Sequence, residues 1–381
     1  MKKIGTVFLR LLAVVLLVGV WFTVSSPLPS ASSDISSDPT AAPEISEQPE
    51  ASPEATPDPT PTPTPTPEPE PEIFTLSFVG DCTLASNQYY VGTAVGYEGV
   101  VGTNYAYPFA ETLRYFEDDD FTFANLECPL TTCTTIDRSK AFYFRADPSY
   151  VNILTEGSVE FVSLGNNHAL DYTQAGYDET KEVLQNAGIG YAGRDEWALY
   201  ETESGLVIGV YAVSFGTTEQ VRTGVKAVRD AGAEFVIAAI HWGTEGSYDV
   251  TDDQITLAHA AVEAGADFVY GSHPHTLQPV ELYEGVYIYY CIGNWTFGGN
   301  TNPRDKDTVI VRLTVTREID GTVSVTDVEN IPCASSGTTD TNNYQPVPYD
   351  PDSEGYQRVL DKLDGSFTGA NLNITYAYGD E

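Results

Sequence analysis

Apolar residues along this chain fall into short runs separated by polar, turn-forming stretches, and the runs carry two different periods. IFTLSFVG, FTFANL, VEFVSLG, LVIGVYAVSF, EFVIAAI, ADFVYGS and VYIYYCIG are rich in Val, Ile, Phe and Tyr and are bounded by Gly, Asn or Asp, which is the signature of strands. Between them the spacing turns helical. DPSYVNILTEG opens with Asp147 as a helix cap and Pro148 at the first helical position, and DYTQAGYDETKEVLQNAG stops at Gly188. TTEQVRTGVKAVRDAG and TDDQITLAHAAVEAGA behave alike, each ending in a glycine-containing stop before the next apolar run. Such alternation predicts an α/β architecture with much parallel pairing. Thr308 to Ile331 reads instead as a hairpin across Asp320-Gly321, so the sheets are expected to be mixed.

Both ends depart from this pattern. In residues 1–26, Lys2, Lys3 and Arg10 precede the apolar run from Leu11 to Val24, an export-type segment. It is short against the roughly 20 residues of a full span, so it reads either as a cleaved signal peptide or as a short membrane anchor. Residues 27–72 hold 14 of the 24 prolines and ten acids with no basic residue. That composition cannot bury a core, and alternating proline keeps it extended as a disordered stalk reaching up to roughly 140 Å. The folded domain is expected over 73–335. The tail, 336–381, shows no periodic pattern.

A formal charge of −37 argues against nucleic acid or anionic lipid as partners, since neither binds a strongly acidic surface without a basic patch. An anionic polymer or phosphate-type substrate would need local cations, which bound metal ions supply. The five cysteines, Cys82, Cys128, Cys133, Cys291 and Cys333, give no readable disulfide framework, and Cys82 and Cys128 read as small buried side chains at strand ends.

The remaining chemistry lies in one kind of place. Asp81 ends the first strand and Glu127 the second; Asn166, Asn167 and His168 end the third; His241 follows IAAI, and His273 and His275 follow VYGS. In open α/β sheets ligands bind at the carboxyl ends of strands, so these side chains are expected to converge. Four of the five histidines belong to the set, and His259 reads as ordinary packing on a helix. Carboxylate and amide oxygens combined with imidazoles suit Mn²⁺, Zn²⁺ or Fe rather than a thiolate-type site. His168, beside Asn167, is placed as a general acid or as a donor to developing negative charge. Asp171 either orients the His168 ring or caps the helix that follows.

The order GD, NLE, NNHALDY, HWG, GSHPH and GNW, over roughly Ile73 to Gly298, resembles the bacterial capsule-synthesis protein CapA family, which acts in poly-γ-glutamate production and is similar to the calcineurin-like metallophosphoesterases. The resemblance implies a four-layer αββα sandwich of two mixed sheets, metallophosphatase-like and held outside the cell membrane, or secreted if the signal is cleaved. It implies Asp81, Glu127, Asn167, His241, His273 and His275 as metal ligands, with His168 as the catalytic histidine. Two departures from the phosphoesterase pattern bear on metal count. Asp81 is followed by Cys82 and Thr83 where that pattern has Asp-x-His, and the second motif reads Asn125-Leu126-Glu127 in place of one built on Asp. One or two divalent ions are therefore expected. The function implied is synthesis, release or attachment of poly-γ-glutamate or a similar anionic capsule polymer, within a capsule synthesis complex. The alternatives are a metal-dependent hydrolase of small phosphate esters and a non-catalytic polymer-binding module.

Overall fold

The computed structural model describes residues 69–374; the export segment and most of the stalk lie outside them. The chain opens with β1 (Glu72–Thr83), β2 (Phe121–Leu126), β3 (Phe161–Ser163) and β4 (Gly190–Ala192). It then builds β5 (Glu196–Glu201), β6 (Val207–Ser214), β7 (Phe235–His241), β8 (Phe268–Ser272), β9 (Val280–Tyr283) and β10 (Val286–Tyr289). Finally β11 (Asn294–Phe297), β12 (Asp307–Arg317), β13 (Val323–Ala334) and β14 (Val347–Pro348) return to the first group. The helices are α1 (Tyr97–Val101), α2 (Val151–Glu156), α3 (Thr173–Ala187), α4 (Thr218–Asp230), α5 (Asp252–Glu263) and α6 (Glu354–Leu363).

Two mixed sheets result. One has the order β14-β13-β12-β1-β2-β3-β4 with β11 also paired to β1, and the other the order β5-β6-β7-β8-β10-β9. Period-2 alternation explains how they stack. Phe74, Leu76 and Phe78 of β1, with Phe121 and Phe123 of β2, pack against Ile237, Phe268 and Tyr270 in the apolar layer shared by both sheets. The intervening residues face outward: Val236, Ala238 and Ile240 of β7 meet Val221, Val225 and Val228 of α4 and Ala258 and Ala261 of α5. On the first sheet, Val79, Ala124 and Val162 meet Ile153 and Leu154 of α2 and Leu184 of α3. Three apolar clusters between two sheets and the flanking helical layers make the αββα sandwich.

The local signals read from the sequence appear where expected. Asp147 accepts from the Ser149 N–H at 2.9 Å ahead of α2, α3 ends at Gly188 with φ +79°, and Thr217 and Thr251 form capping boxes with Gln220 and Gln254. β12 and β13 form the hairpin. All five cysteines are free thiols. No helix among the described residues is long and apolar enough to cross a membrane.

Residues 336–374 join the same body. β14 pairs with β13, and α6 places Val359 and Leu363 in the layer between the sheets. Lys362, 2% exposed, donates to Asp305 and Asp307 at 2.7 Å each, and Arg358 grips Asp307 with two bonds of 2.6 Å. Removing one partner of a buried ion pair leaves uncompensated charge. Lys362→Met is therefore expected to cost roughly 3 kcal/mol in denaturant unfolding; an unchanged midpoint would show that this cluster does not hold α6 in place.

Candidate metal centre

Parallel pairing brings the carboxyl ends of β1, β2, β3, β7 and β8 to one edge. Asp81 lies near the end of β1, Glu127 directly after β2, Asn166 to His168 in the turn after β3, His241 at the last position of β7, and His273 and His275 in the loop after β8. A close backbone approach brings the segment before β11 against β1 here. A Cβ on Gly80 would stand 2.0 Å from the Gly293 carbonyl oxygen, so only glycine lets the segment leading into β11 lie beside Asp81. His275 Nδ1 then sits 3.0 Å from Asp81 Oδ2 and 2.9 Å from Asn294 Oδ1.

The remaining contacts close the group. His241 Nε2 is 2.9 Å from Asn167 Oδ1 and 3.4 Å from Glu127 Oε1, and its Nδ1 is 2.9 Å from Ser272 Oγ. The His273 ring lies 4.6 Å from that of His241 and 5.9 Å from that of His275, centroid to centroid. Asn125 donates to Asp81 Oδ1 at 2.8 Å, while Asn166 donates to Asn125 at 3.1 Å and to the Leu126 carbonyl at 2.8 Å. His273 and His275 hold φ values of +100° and +58°, conformations that cost an L-residue energy and cluster at functional sites.

Glu127 tests whether these residues fit a cation. Its carboxylate is buried, yet neither oxygen accepts a hydrogen bond, and buried His273 Nδ1 is likewise without a partner. A buried carboxylate with no donor is expensive unless a charge faces it. Ligand atoms of Glu127, His241 and His273 lie within 4.8 Å of one another, as do those of Asp81, Glu127 and His275 and those of Glu245, His273 and His275. The donor set and its orphaned atoms fit one or two divalent ions. All six candidate ligands named from the sequence are brought to this edge.

The charges of the protein groups alone reflect the crowding. Burial, and then the Asp81 charge, push the Glu127 carboxyl well above the usual carboxylate range. Burial and the neighbouring His275 and His168 pull His273 down to about 3, and burial with the facing histidines also lowers His241. Burial opposes protonation of His275 as well, but the Glu127 charge and the Asp81 hydrogen bond outweigh it and raise His275 to about 10.

His168 stands at the rim, its side chain 12% exposed. Its Nδ1 lies 2.7 Å from Asp171 Oδ2. Buried Asp171 also accepts from the Phe144 N–H at 2.8 Å and from Lys140 Nζ at 2.6 Å, and Lys140 also donates to the Asn167 carbonyl. Asp171 therefore does not cap α3, whose flanking residue is Tyr172 without a side-chain cap bond. A carboxylate on Nδ1 assigns the ring proton to that nitrogen and leaves Nε2 for a ligand.

Glu245 was not singled out from the sequence, nor were Lys140, Ser272 and Asn125 as supports; HWGTEG, with Glu245 four residues after His241, was the signal available for the first. Trp295 is buried against Phe109 and Phe116 and lines no part of the cluster. Arg145 donates to the Cys133 carbonyl at 3.0 Å. His259 stacks on Tyr283 at 3.7 Å and faces Glu281.

A family model described as "Bacterial capsule synthesis protein PGA_cap" matches residues 75–299. The chain is 26% identical over 284 residues to the PGA biosynthesis protein CapA of Bacillus subtilis, covering 68% of this chain and 72% of that protein. It is 25% identical over 272 residues to the capsule biosynthesis protein CapA of Bacillus anthracis, covering 63% of this chain and 64% of that one. Among solved structures, the Haemophilus influenzae NAD nucleotidase aligns over 78% of this chain and 63% of its own, at 10% identity and a TM-score of 0.37.

Proposed function

The chain belongs to the bacterial capsule synthesis protein family PGA_cap, and from that premise we propose that it acts in the synthesis, release or attachment of poly-γ-glutamate or a similar anionic capsule polymer. In this reading it works outside the membrane, tethered through residues 1–26 and spaced from it by the proline-rich stalk, with a divalent metal centre at the strand ends. One observation carries the reading: the family match spans Asp81, Glu127, Asn167, His168, His241, His273 and His275, and ligand atoms of Asp81, His241, His273 and His275 lie within 4.8 Å of the orphaned carboxylate of Glu127.

Glu127, Asp81, Asn167, His241, His273 and His275 would hold the metal, with Glu245 as a further donor. When bound, a divalent cation supplies Lewis acidity for a phosphoryl or amide oxygen. The chain's own residues do the rest. Asp171, fixed by Lys140 and by the Phe144 N–H, holds the proton on His168 Nδ1. His168 then presents Nε2 to the substrate, and in its protonated form delivers a proton to a leaving group. Asn166 accepts from the His168 backbone N–H at 3.1 Å and so fixes the turn that carries the histidine.

The test is genetic. In the native host, replacing the chromosomal copy by Glu127→Ala is expected to lower cell-associated and released anionic polymer at least tenfold, with unchanged levels of the protein on a blot. Polymer equal to wild type would overturn the reading.

A further inference from the structure

Beside the metal ligands lies a cleft of about 410 Å³, within the range of small-ligand sites. Its lining is polar at His168, His275, Asn294 and Glu245 and again at Arg304 and Asp305, and carries apolar surface at Phe144, Phe297, Leu372 and Ile374. Phe144 sets its ring edge-on to His168 with centroids 4.7 Å apart, and Phe297 lies 4.7 Å from His275. Those two phenylalanines are 6.4 Å from each other. Both histidines nearest the cleft are therefore flanked by aromatic surface.

The C-terminal stretch completes the apolar lining with Leu372 and Ile374. It is built against the loop that carries Glu245. The Leu372 N–H donates to the Gly246 carbonyl at 2.8 Å; Asn371 accepts from the Tyr248 N–H at 2.7 Å and donates to Asp249 at 2.8 Å; Arg304 donates to the Asn373 carbonyl. Gly246 has φ +72°, and a Cβ there would stand 2.8 Å from Ile374 Cδ1. The glycine thus admits both the turn and the segment.

Charge narrows the occupant. Arg304 is the one Lys or Arg lining the cleft, and it already donates to Asn373, whereas Glu245 and Asp305 are acids in the same lining. A run of glutamates, with one carboxylate per residue, would meet these acids with no spare cation. A single anionic head at the metal ligands meets no such obstacle, and an apolar body beside it covers Phe144, Phe297, Leu372 and Ile374.

We propose that this cleft takes a ligand with one anionic head and an apolar body, of the lipid or aryl phosphoester type, and that Leu372 and Ile374 select the body. The inference rests on the metal-centre reading above and deepens it: the cleft receives a phosphoester with a single anionic head rather than the middle of a polyanionic chain.

Isothermal titration of the Mn²⁺-loaded full-length chain with methyl-, butyl- and hexylphosphonate tests this. Affinity is expected to rise about two- to fourfold per added methylene. The gain with length is expected to vanish in Leu372→Asn and Ile374→Asn and to persist in Leu372→Met. Metal-dependent binding of equal strength at every length would overturn the apolar selection and leave the metal centre standing. Absence of metal-dependent binding at every length would remove the head-group site and the inference with it. Tighter binding of a γ-linked glutamate tetramer than of butylphosphonate would also overturn the proposal, because charge rather than apolar surface would then select the ligand.

Discussion

Elemental analysis of the purified chain after loading with Mn²⁺ or Zn²⁺ is expected to give about two ions per molecule, and Glu127→Ala to give none that survive desalting. The expectation follows from how the donors overlap. Glu127 is shared by the group with His241 and His273 and by the group with Asp81 and His275. A carboxylate common to two groups can serve both ions, so its loss weakens both sites at once. His241→Ala removes a donor from one group only and is expected to lower the content to about one ion. Without a bound metal, neither oxygen of Glu127 has a hydrogen-bond partner and only the imidazoles of His275 and His241 offset its burial. Glu127→Ala should therefore raise, not lower, the stability of the metal-free protein. Metal content unchanged by Glu127→Ala would sink the metal reading. The departure at Thr83, where the related pattern has a histidine, sets the other informative outcome: a single ion in the wild type would mean that the group lacking that imidazole does not hold its own.

The second large effect is expected at the rim. With a chromogenic phosphodiester as reporter, His168→Ala is expected to lower kcat by roughly 10²–10⁴ while leaving metal content and melting temperature in place, the range removed with a positioned general acid or base. Asp171→Asn acts through the ring that it orients and through Lys140, which it neutralises across 2.6 Å. It should lower kcat in the same direction by a smaller factor, because the amide no longer holds the ring proton on Nδ1. Wild-type turnover that survives His168→Ala intact would exclude the histidine from proton transfer. No turnover by the wild type with any phosphoester would defeat the hydrolytic part and leave the centre as a binding site for anionic groups.

Much of this site was legible because its parts are local. FANLE, FVSLGNNH and IAAIH each show an apolar run that ends in a polar donor, and a strand of known direction delivers that donor to a known end. Asp171 was left between two roles because both a helix cap and a histidine partner suit an aspartate three residues after a histidine. Only the positions of Lys140 and the Phe144 N–H, which claim its oxygens, decided between them. Glu245 sits in a loop with no period, where no strand end marks it. Several strands were unmarked for similar reasons: β4 and β11 are three and four residues long, and β5 is largely exposed on a sheet edge. α6 was hidden because its buried face includes Lys362, whose burial depends on Asp305 and Asp307 more than fifty residues away.

By itself, then, the sequence determined the alternation of strands and helices, the mixed sheets, the acidic character and the kinds of donor at the strand ends, since each follows from side-chain period and chemistry within a dozen residues. The tertiary structure decided which donors share an ion, that Glu127 lies between two groups, and that Leu372 and Ile374 line the cleft. Asp81 and His275 are 194 residues apart and meet at 3.0 Å. Their meeting depends on strand order and on the bare Cα of Gly80 against Gly293, and neither is encoded in the local pattern around either residue.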